Sequence, residues 1–420
     1  MKTIIYLNYL ISIIFTLCYA YQFYYIFIGL WKKPKTFTAT KVHRFAVVIS
    51  ARNEENVIGQ LIESIKNQNY PQELIDIFVI ADNCTDHTAT VAKEAGAIVH
   101  ERFNTEQVGK GYALDWMFEI IDRDYGDKNY DAFMVFDADN LLDRNFIAEM
   151  NKVFSQGYRI ITSYRNSKNF GGNWISAGYS LWFLREAKFL NNARMHLGTS
   201  CAISGTGFLI SSDIIKKNGG WIHHLLTEDI EFTVDNVIKG ETIGYCEGAI
   251  LYDEQPTLFK ESYNQRLRWA KGFYQVFANY GGKLFRGAFK GSFACFDMLM
   301  TIMPAMLLTL ISTAVNAIAI PLGLLSNSVE TPALVLTLLQ TLGNFYGMFF
   351  ILGTITTITE WKQIYCPIRK RILNLFTFPI FMLTYVPIAI IALFKKVEWK
   401  PIQHSVSRTV DEVRGDQPAN

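Results

Sequence analysis

Asp137 and Asp139 close an apolar run, Phe133-Met134-Val135-Phe136, with one residue between them. Carboxylates so close repel each other unless a cation neutralises them, and a few protein carboxylates completed by a substrate's phosphates are what Mg2+ or Mn2+ takes. The pair therefore implies a metal, held by Asp139 and Asp137, and a diphosphate. Glu54 and Asp82 also follow apolar runs, Phe45 to Ile49 and Ile75 to Ala81. Any one such acid could be no more than a helix cap or turn former. Thr227-Glu228-Asp229 puts two acids at a helix start, where Thr227 could cap and the acids complement the dipole; read chemically, Asp229 is a general base for an attacking hydroxyl. Gln265, Arg268 and Trp269 fall at i, i+3 and i+4, one face of a helix. That face offers a bidentate hydrogen bonder, a permanent cation and a stacking surface, suited to a sugar ring and an anionic group. Lys110, between Gly109 and Gly111, could serve the same anion, the glycines letting backbone come close.

The elements that must position these residues alternate between strand and helix. Strand-like runs at Phe45–Ile49, Ile75–Ala81, Ala97–Val99 and Phe133–Phe136 are separated by helical patterns, such as Val57, Ile58, Leu61, Ile62 and Ile65. Such units predict an α/β fold, a mostly parallel sheet covered on both faces, with ligands at the carboxyl ends of the strands. Further on, Tyr158–Tyr164 reads as a strand and Asn173–Asn192 as a helix. Ser204-Gly205-Thr206-Gly207 reads as a loop that either admits a sugar or turns the chain.

A hydrophobic fraction of 50% over 420 residues points to a membrane, while a net charge of +2 decides nothing. The six cysteines have no CxxC spacing, so neither a zinc ribbon nor a disulfide framework is supported. Charge is absent from Thr3 to Trp31, longer than a signal-peptide core and long enough to span, and Lys32, Lys33 and Lys35 follow. Those lysines place the next domain in the cytoplasm. Charge is absent again from Met298 to Val329, Thr331 to Thr359 and Ile372 to Phe394. Three crossings are the favoured reading. The basic tail residues Lys395, Lys396 and Lys400 conflict with it, because they argue for a C-terminus on the inside, which a re-entrant last segment would explain. Phe285, Phe289 and Phe293, with Lys283, Arg286 and Lys290 on another face, predict an amphipathic helix in the membrane surface.

In this order, Asp137-Ala138-Asp139, Thr227-Glu228-Asp229 and Gln265-Arg266-Leu267-Arg268-Trp269 resemble the DxD, TED and Q(Q/R)xRW motifs of inverting family 2 glycosyltransferases. More narrowly, they resemble the membrane-embedded branch that includes cellulose, chitin-oligosaccharide, hyaluronan and poly-N-acetylglucosamine synthases. The resemblance implies a GT-A (Rossmann-like) fold and a UDP-sugar donor. Ala51, Glu54, Asp82, Lys110, Asp137 and Asp139 would line the nucleotide-sugar site, with Asp139 on the Mg2+ or Mn2+ ion. Asp229 would be the base, and Glu228, Gln265, Arg268 and Trp269 would meet the diphosphate and the acceptor. The expected partners are a glycan acceptor and the lipid bilayer, with no nucleic acid.

The organisation expected is an anchor over 1–35, a cytoplasmic catalytic domain over 42–272, interfacial helices over 273–296, membrane helices over 297–394 and a tail over 395–420. In the tail, Trp399, Pro401 and His404 read as an interface anchor and solvated end rather than a gate. The expected activity is transfer to a growing β-linked polysaccharide at the plasma membrane, processive and coupled to export. The alternatives are a non-processive transferase acting on a lipid-linked acceptor, and a transporter or receptor with an inactive nucleotide-sugar domain.

Overall fold

The computed structural model describes residues 2–325, 331–398, 402, 404 and 406–415. Two helices, α1 (Lys2–Tyr19) and α2 (Tyr21–Trp31), bend by 41° at their junction, so the uncharged run is two helices rather than one. The α/β unit follows: β1 (Phe45–Ala51), α3 (Ile58–Lys66), β2 (Ile75–Asp82), α4 (Thr88–Glu94), β3 (Ile98–Arg102), α5 (Lys110–Tyr125), β4 (Ala132–Asp137), β5 (Leu141–Leu142), α6 (Phe146–Phe154) and β6 (Ile160–Ser167). Next come α7 (Trp174–Arg185), a π-helical segment (Glu186–Asn191), α8 (Asn192–Leu197), β7 (Phe208–Ser211), α9 (Ser212–Asn218), α10 (Glu228–Ile238) and β8 (Ile243–Asp253). The helix expected from Asn173 to Asn192 is thus real but not uniform. Asn173 is its N-cap, accepting from the N–H groups of Ile175 and Ser176.

The strands form one mixed sheet in the order β3-β2-β1-β4-β7-β6-β8-β5. Strands β3, β2, β1 and β4 are mutually parallel, and β7 runs antiparallel between β4 and β6. The parallel strands read as unbroken apolar runs because both faces are covered: Phe45 to Ile49 are all fully buried. The amphipathic stripe of α3, Ile58, Leu61, Ile62 and Ile65, seals one side. In register, Ser50 of β1 lies beside Asp137 of β4 and Ala51 beside Ala81 of β2. The strand ends therefore form a single ledge. The loops after β1 and β2 turn on Asn53 (φ 59°) and Asn83 (φ 52°), the residue type that enters the left-handed region most readily after glycine.

Beyond the sheet, α11 (Phe259–Phe289) runs for 31 residues without interruption. The helix runs on past 272/273, and the chain turns at Gly291, at φ +92°. Phe293 belongs to the next helix, α12 (Phe293–Ile302), so the phenylalanine stripe is shared by two elements. Then come α13 (Pro304–Leu325), α14 (Thr331–Thr359), α15 (Ile368–Leu383), α16 (Tyr385–Phe394) and the short α17 (Val410–Arg414).

Among the described residues, two stretches are long and apolar enough to cross a membrane, Leu338–Thr359 and Ile368–Phe394, with α1 and α2 a third if the bent pair is one span. The second of these packs against α7 and α11. Lys370 Nζ donates to Gly171 O at 2.5 Å, and Tyr274 of α11 donates to Ala389 O at 3.0 Å. Phe381 packs on Gly178, where an added Cβ would meet its ring at 2.3 Å. Start, middle and end of α15–α16 thus contact Gly171, α7 and α11 in turn. Glu330, Trp399 and Pro401 lie outside the described residues.

A buried ion pair ties the α/β unit to the apolar helices. Arg194 of α8 makes a two-pronged contact with Asp297 of α12, at 2.8 and 2.9 Å, and the side chains are 1% and 0% exposed. Tyr21 and Tyr25 of α2 donate to the same carboxylate, each at 2.8 Å. Asp297→Asn is expected to cost about 3–5 kcal/mol by leaving a buried guanidinium without its counter-charge, whereas Arg194→Met with Asp297→Leu recovers most of the loss. Thermal unfolding in detergent measures both; a single variant as stable as the parent would show that the pair contributes nothing.

Candidate active site

The strand-end ledge forms the floor of a cavity of about 1220 Å³. Ser50, Arg52, Glu54, Asp82, Lys110, Asp137 and Asp139 line it on the sheet side. Ala51 does not: it is 1% exposed and packed inward, and its neighbours Ser50 and Arg52 face the space instead. Asp82 is already engaged by Arg102, at 2.7 Å. Lys110 pairs with Asp137 and donates to Gly205 O at 2.8 Å. The repulsion expected between Asp137 and Asp139 is thus relieved in part by a lysine. Gly111 serves packing rather than a ligand, since a Cβ there would meet His223 O at 2.3 Å.

Asp139 accepts from the Glu254 N–H at 2.9 Å and from the Asn140 side chain at 3.3 Å. Burial alone would raise its carboxyl, but His404, Lys168 and Arg165 outweigh that and hold it below the usual carboxylate range. His404 reaches in from the tail, with Nδ1 at 2.9 Å from Glu54 and Nε2 at 3.8 Å from Asp139. This overturns the expectation of a solvated tail end. A lone histidine near the C-terminus carries no periodicity to reveal it, and the carboxylates that attract it lie hundreds of residues earlier. Arg165 and Asp253, paired across β6 and β8, also line the space. Both were missed because an alternating strand says which residues point inward, not which cavity they reach.

The opposite wall comes from α10 and α11. Thr227 makes no capping hydrogen bond. Its side chain instead meets Gly272, where a Cβ would clash at 2.5 Å, so this glycine sets how closely α11 approaches α10. Glu228 and Asp229 both line the cavity. Burial lifts the Glu228 carboxyl to about 7, with Asp229 adding to the rise and Lys110 and Arg268 opposing it. Burial raises Asp229 as well, against the Ile230 N–H, Lys110 and Arg268. Gln265, Arg268 and Trp269 stand on the same wall. Trp269 sits edge-on to Tyr179, with ring centres 5.6 Å apart, and near Phe183 at 6.3 Å. Arg266 points the other way, fully buried against α15.

A family model described as glycosyltransferase like family 2 matches residues 43–272, from just before β1 to Gly272 in α11. The chain belongs to that family. It is 26% identical over 267 residues to the probable glycosyltransferase YdaM of Bacillus subtilis, covering 58% of each protein. It is 25% identical over 267 residues to a beta-monoglucosyldiacylglycerol synthase of Nostoc, covering 61% of this chain and 54% of that one. The chain thus spans little more than half the length of these relatives. Its structure is similar to that of the mannosyltransferase PcManGT from Pyrobaculum calidifontis, described in complex with GDP-Man and Mn2+. The TM-score is 0.57 at 16% identity, covering 92% of this chain and 99% of that one, a likeness of fold. The fold is GT-A-like.

Among the described residues of this family 2 glycosyltransferase, no three His, Cys, Asp or Glu side chains cluster to hold an ion by themselves. The donors at Asp137 and Asp139 are nevertheless hard oxygens, and Asp139 is kept ionised. That chemistry fits a divalent cation completed by phosphate oxygens.

Glu228 and Asp229 titrate as a pair, and a base acts only when ionised. With Asp229 as the base, the rate is therefore expected to fall as pH drops through a midpoint above the ordinary carboxylate range, because burial raises the Asp229 carboxyl. A profile of kcat/KM against pH checks this; a parental limb at the ordinary carboxylate pKa of about 4 would remove the pair from the assignment.

Proposed function

We propose that this protein transfers a sugar from a UDP-sugar to a hydroxyl of a growing β-linked glycan, at the inner face of the plasma membrane, with inversion at the anomeric carbon. The observation that carries this reading is that Asp139, Asp229 and Trp269 line one cavity, which continues between α1, α13 and α14 past Ser12, Thr16, Ser312 and Asn316. Lys32, Lys33 and Lys35, after α2, support a catalytic domain in the cytoplasm.

Each side chain then has a task its surroundings support. Glu54 and Asp82 stand where the nucleoside would lie, and Lys110 and Arg268 present positive charge to the diphosphate. Asp137 and Asp139 would hold Mg2+ or Mn2+, which when bound offsets the charge of the departing diphosphate. Asp229 takes the proton of the attacking hydroxyl, and its raised affinity for a proton brings it closer to that of a useful base. Trp269, fixed by Tyr179 and Phe183, gives the acceptor ring a stacking surface. Gln265 Oε1 is buried without a hydrogen-bond partner among the described residues, leaving it available to a hydroxyl.

A second reading, a lipid-linked acceptor and single transfer, is favoured by the apolar part of the same lining, including Ile11, Phe15, Leu308, Leu338 and Phe345. Product size separates the two.

Purified full-length protein in nanodiscs, given a panel of UDP-sugars with Mg2+ or Mn2+, is expected to release UDP with at least one donor and to stop when a chelator is added. Asp229→Asn should lower the rate by roughly 10²–10⁴-fold with UDP binding retained; near-normal turnover would remove Asp229 as the base. Trp269→Ala should shorten the product more than it weakens donor binding, and unchanged product length would contradict its stacking role.

A further inference from the structure

Glu186 opens the π-helical segment between α7 and α8. A π turn holds more residues than an α turn and recurs at functional sites. Here it keeps Trp182, Glu186, Leu190 and Arg194, each four residues apart, on the one wall that borders the cavity. The segment is seated from behind by α2: a Cβ at Gly29 would meet the Phe189 ring at 2.6 Å.

The carboxylate of Glu186 has unused capacity. Among the described residues its hydrogen-bond donor is Ser204 Oγ, at a long 3.4 Å, although a carboxylate accepts at about four positions. The neighbouring guanidiniums are committed elsewhere: Arg194 to Asp297, Arg165 to Asp253, and Arg185 to Gln22 at 2.7 Å. Burial raises the Glu186 carboxyl; the three arginines oppose the rise and Asp229 adds to it, so the two acids are close enough to feel each other. They flank one loop. Ser204 touches Glu186, and the Cβ position of Gly205 lies 3.8 Å from Asp229 Oδ2.

We infer that Glu186 is an acceptor-positioning residue that accepts a hydrogen bond from an acceptor hydroxyl next to the one Asp229 deprotonates. The acceptor then carries at least two neighbouring hydroxyls, as a sugar terminus does, whether free or at the head of a glycolipid. A lipid with a single hydroxyl does not satisfy the site. The inference rests on the transferase reading above and adds the acceptor's chemical class to it.

The test uses full-length protein in nanodiscs, with a soluble β-linked oligosaccharide, a glycolipid and a diacylglycerol offered in turn. Glu186→Gln and Glu186→Ala are compared with the parent for UDP affinity, donor hydrolysis by water, and acceptor KM and kcat. Expected are unchanged UDP affinity and hydrolysis, with an acceptor KM raised on the order of tenfold to a hundredfold in Glu186→Ala and less in Glu186→Gln. An acceptor lacking the neighbouring hydroxyl should lose the same factor with the parent and nothing further with the variants. If Glu186→Ala no longer binds UDP, the folded Glu186→Gln variant and the deoxy acceptor decide. An unchanged acceptor KM in a UDP-binding variant overturns the inference, as does efficient transfer to diacylglycerol. Parental protein that releases no UDP with any donor takes down the transferase reading and this inference together; parental activity with unmoved acceptor KM takes down this one alone.

Discussion

Negative charge crowded into a buried cleft is the constraint that the catalytic unit is built around. Glu54, Asp137, Asp139, Glu186, Glu228, Asp229 and Asp253 all border one cavity, and burying ionised carboxylates without partners is prohibitively costly. The compensating cations come from separate elements: Lys110 from the start of α5, Arg165 from β6, Arg268 from α11 and His404 from the tail. The compensation is uneven. Asp139 is held ionised, while Glu228, Asp229 and Glu186 bind their protons more tightly than usual. Glu54 and Asp253, on the same side as Asp139, are raised by burial as well, so Asp139 stands out as the acid that the surrounding cations hold ionised.

What could be read from the sequence was what local chemistry determines. Strand positions followed from apolar runs that must be buried on both faces, and the acids at their ends followed from the parallel topology. The helix face of Gln265, Arg268 and Trp269 followed from 3.6-residue periodicity. What could not be read depended on partners distant in the chain. His404 sits against Glu54, and Tyr164 of β6 meets Glu360 just after α14. Ala51 shows the finest limit: a strand-end residue was right, but the two-residue alternation chose the neighbour.

The apolar segments show the same limit at larger scale. Hydropathy measures whether a helix can lie in lipid; it does not say whether protein already occupies one of its faces. From Ile368 to Phe394 the residues are apolar enough to cross, yet Phe378, Phe381, Ile388 and Ala392 are buried, and contacts with α7 and α11 run along the whole length.

The junction of α15 and α16 also bears on how the α11 wall of the cavity is held. Pro387 lacks an N–H, so the carbonyl four residues earlier, Leu383, loses its helical donor, and the chain breaks at Thr384. A broken helix in apolar surroundings must satisfy its freed groups from elsewhere. Arg266 does so in part, donating from Nη1 to Phe381 O at 3.2 Å and to Thr384 Oγ1 at 2.6 Å, with its guanidinium over the Phe381 and Tyr385 rings. Arg266 lies between Gln265 and Arg268 on α11 but is buried against α15 and does not line the cavity. The residue that staples α11 to the apolar helices therefore fixes the rotation of α11 about its own axis. That rotation decides whether Gln265, Arg268 and Trp269 face the cavity, so this wall depends on contacts at a broken apolar helix.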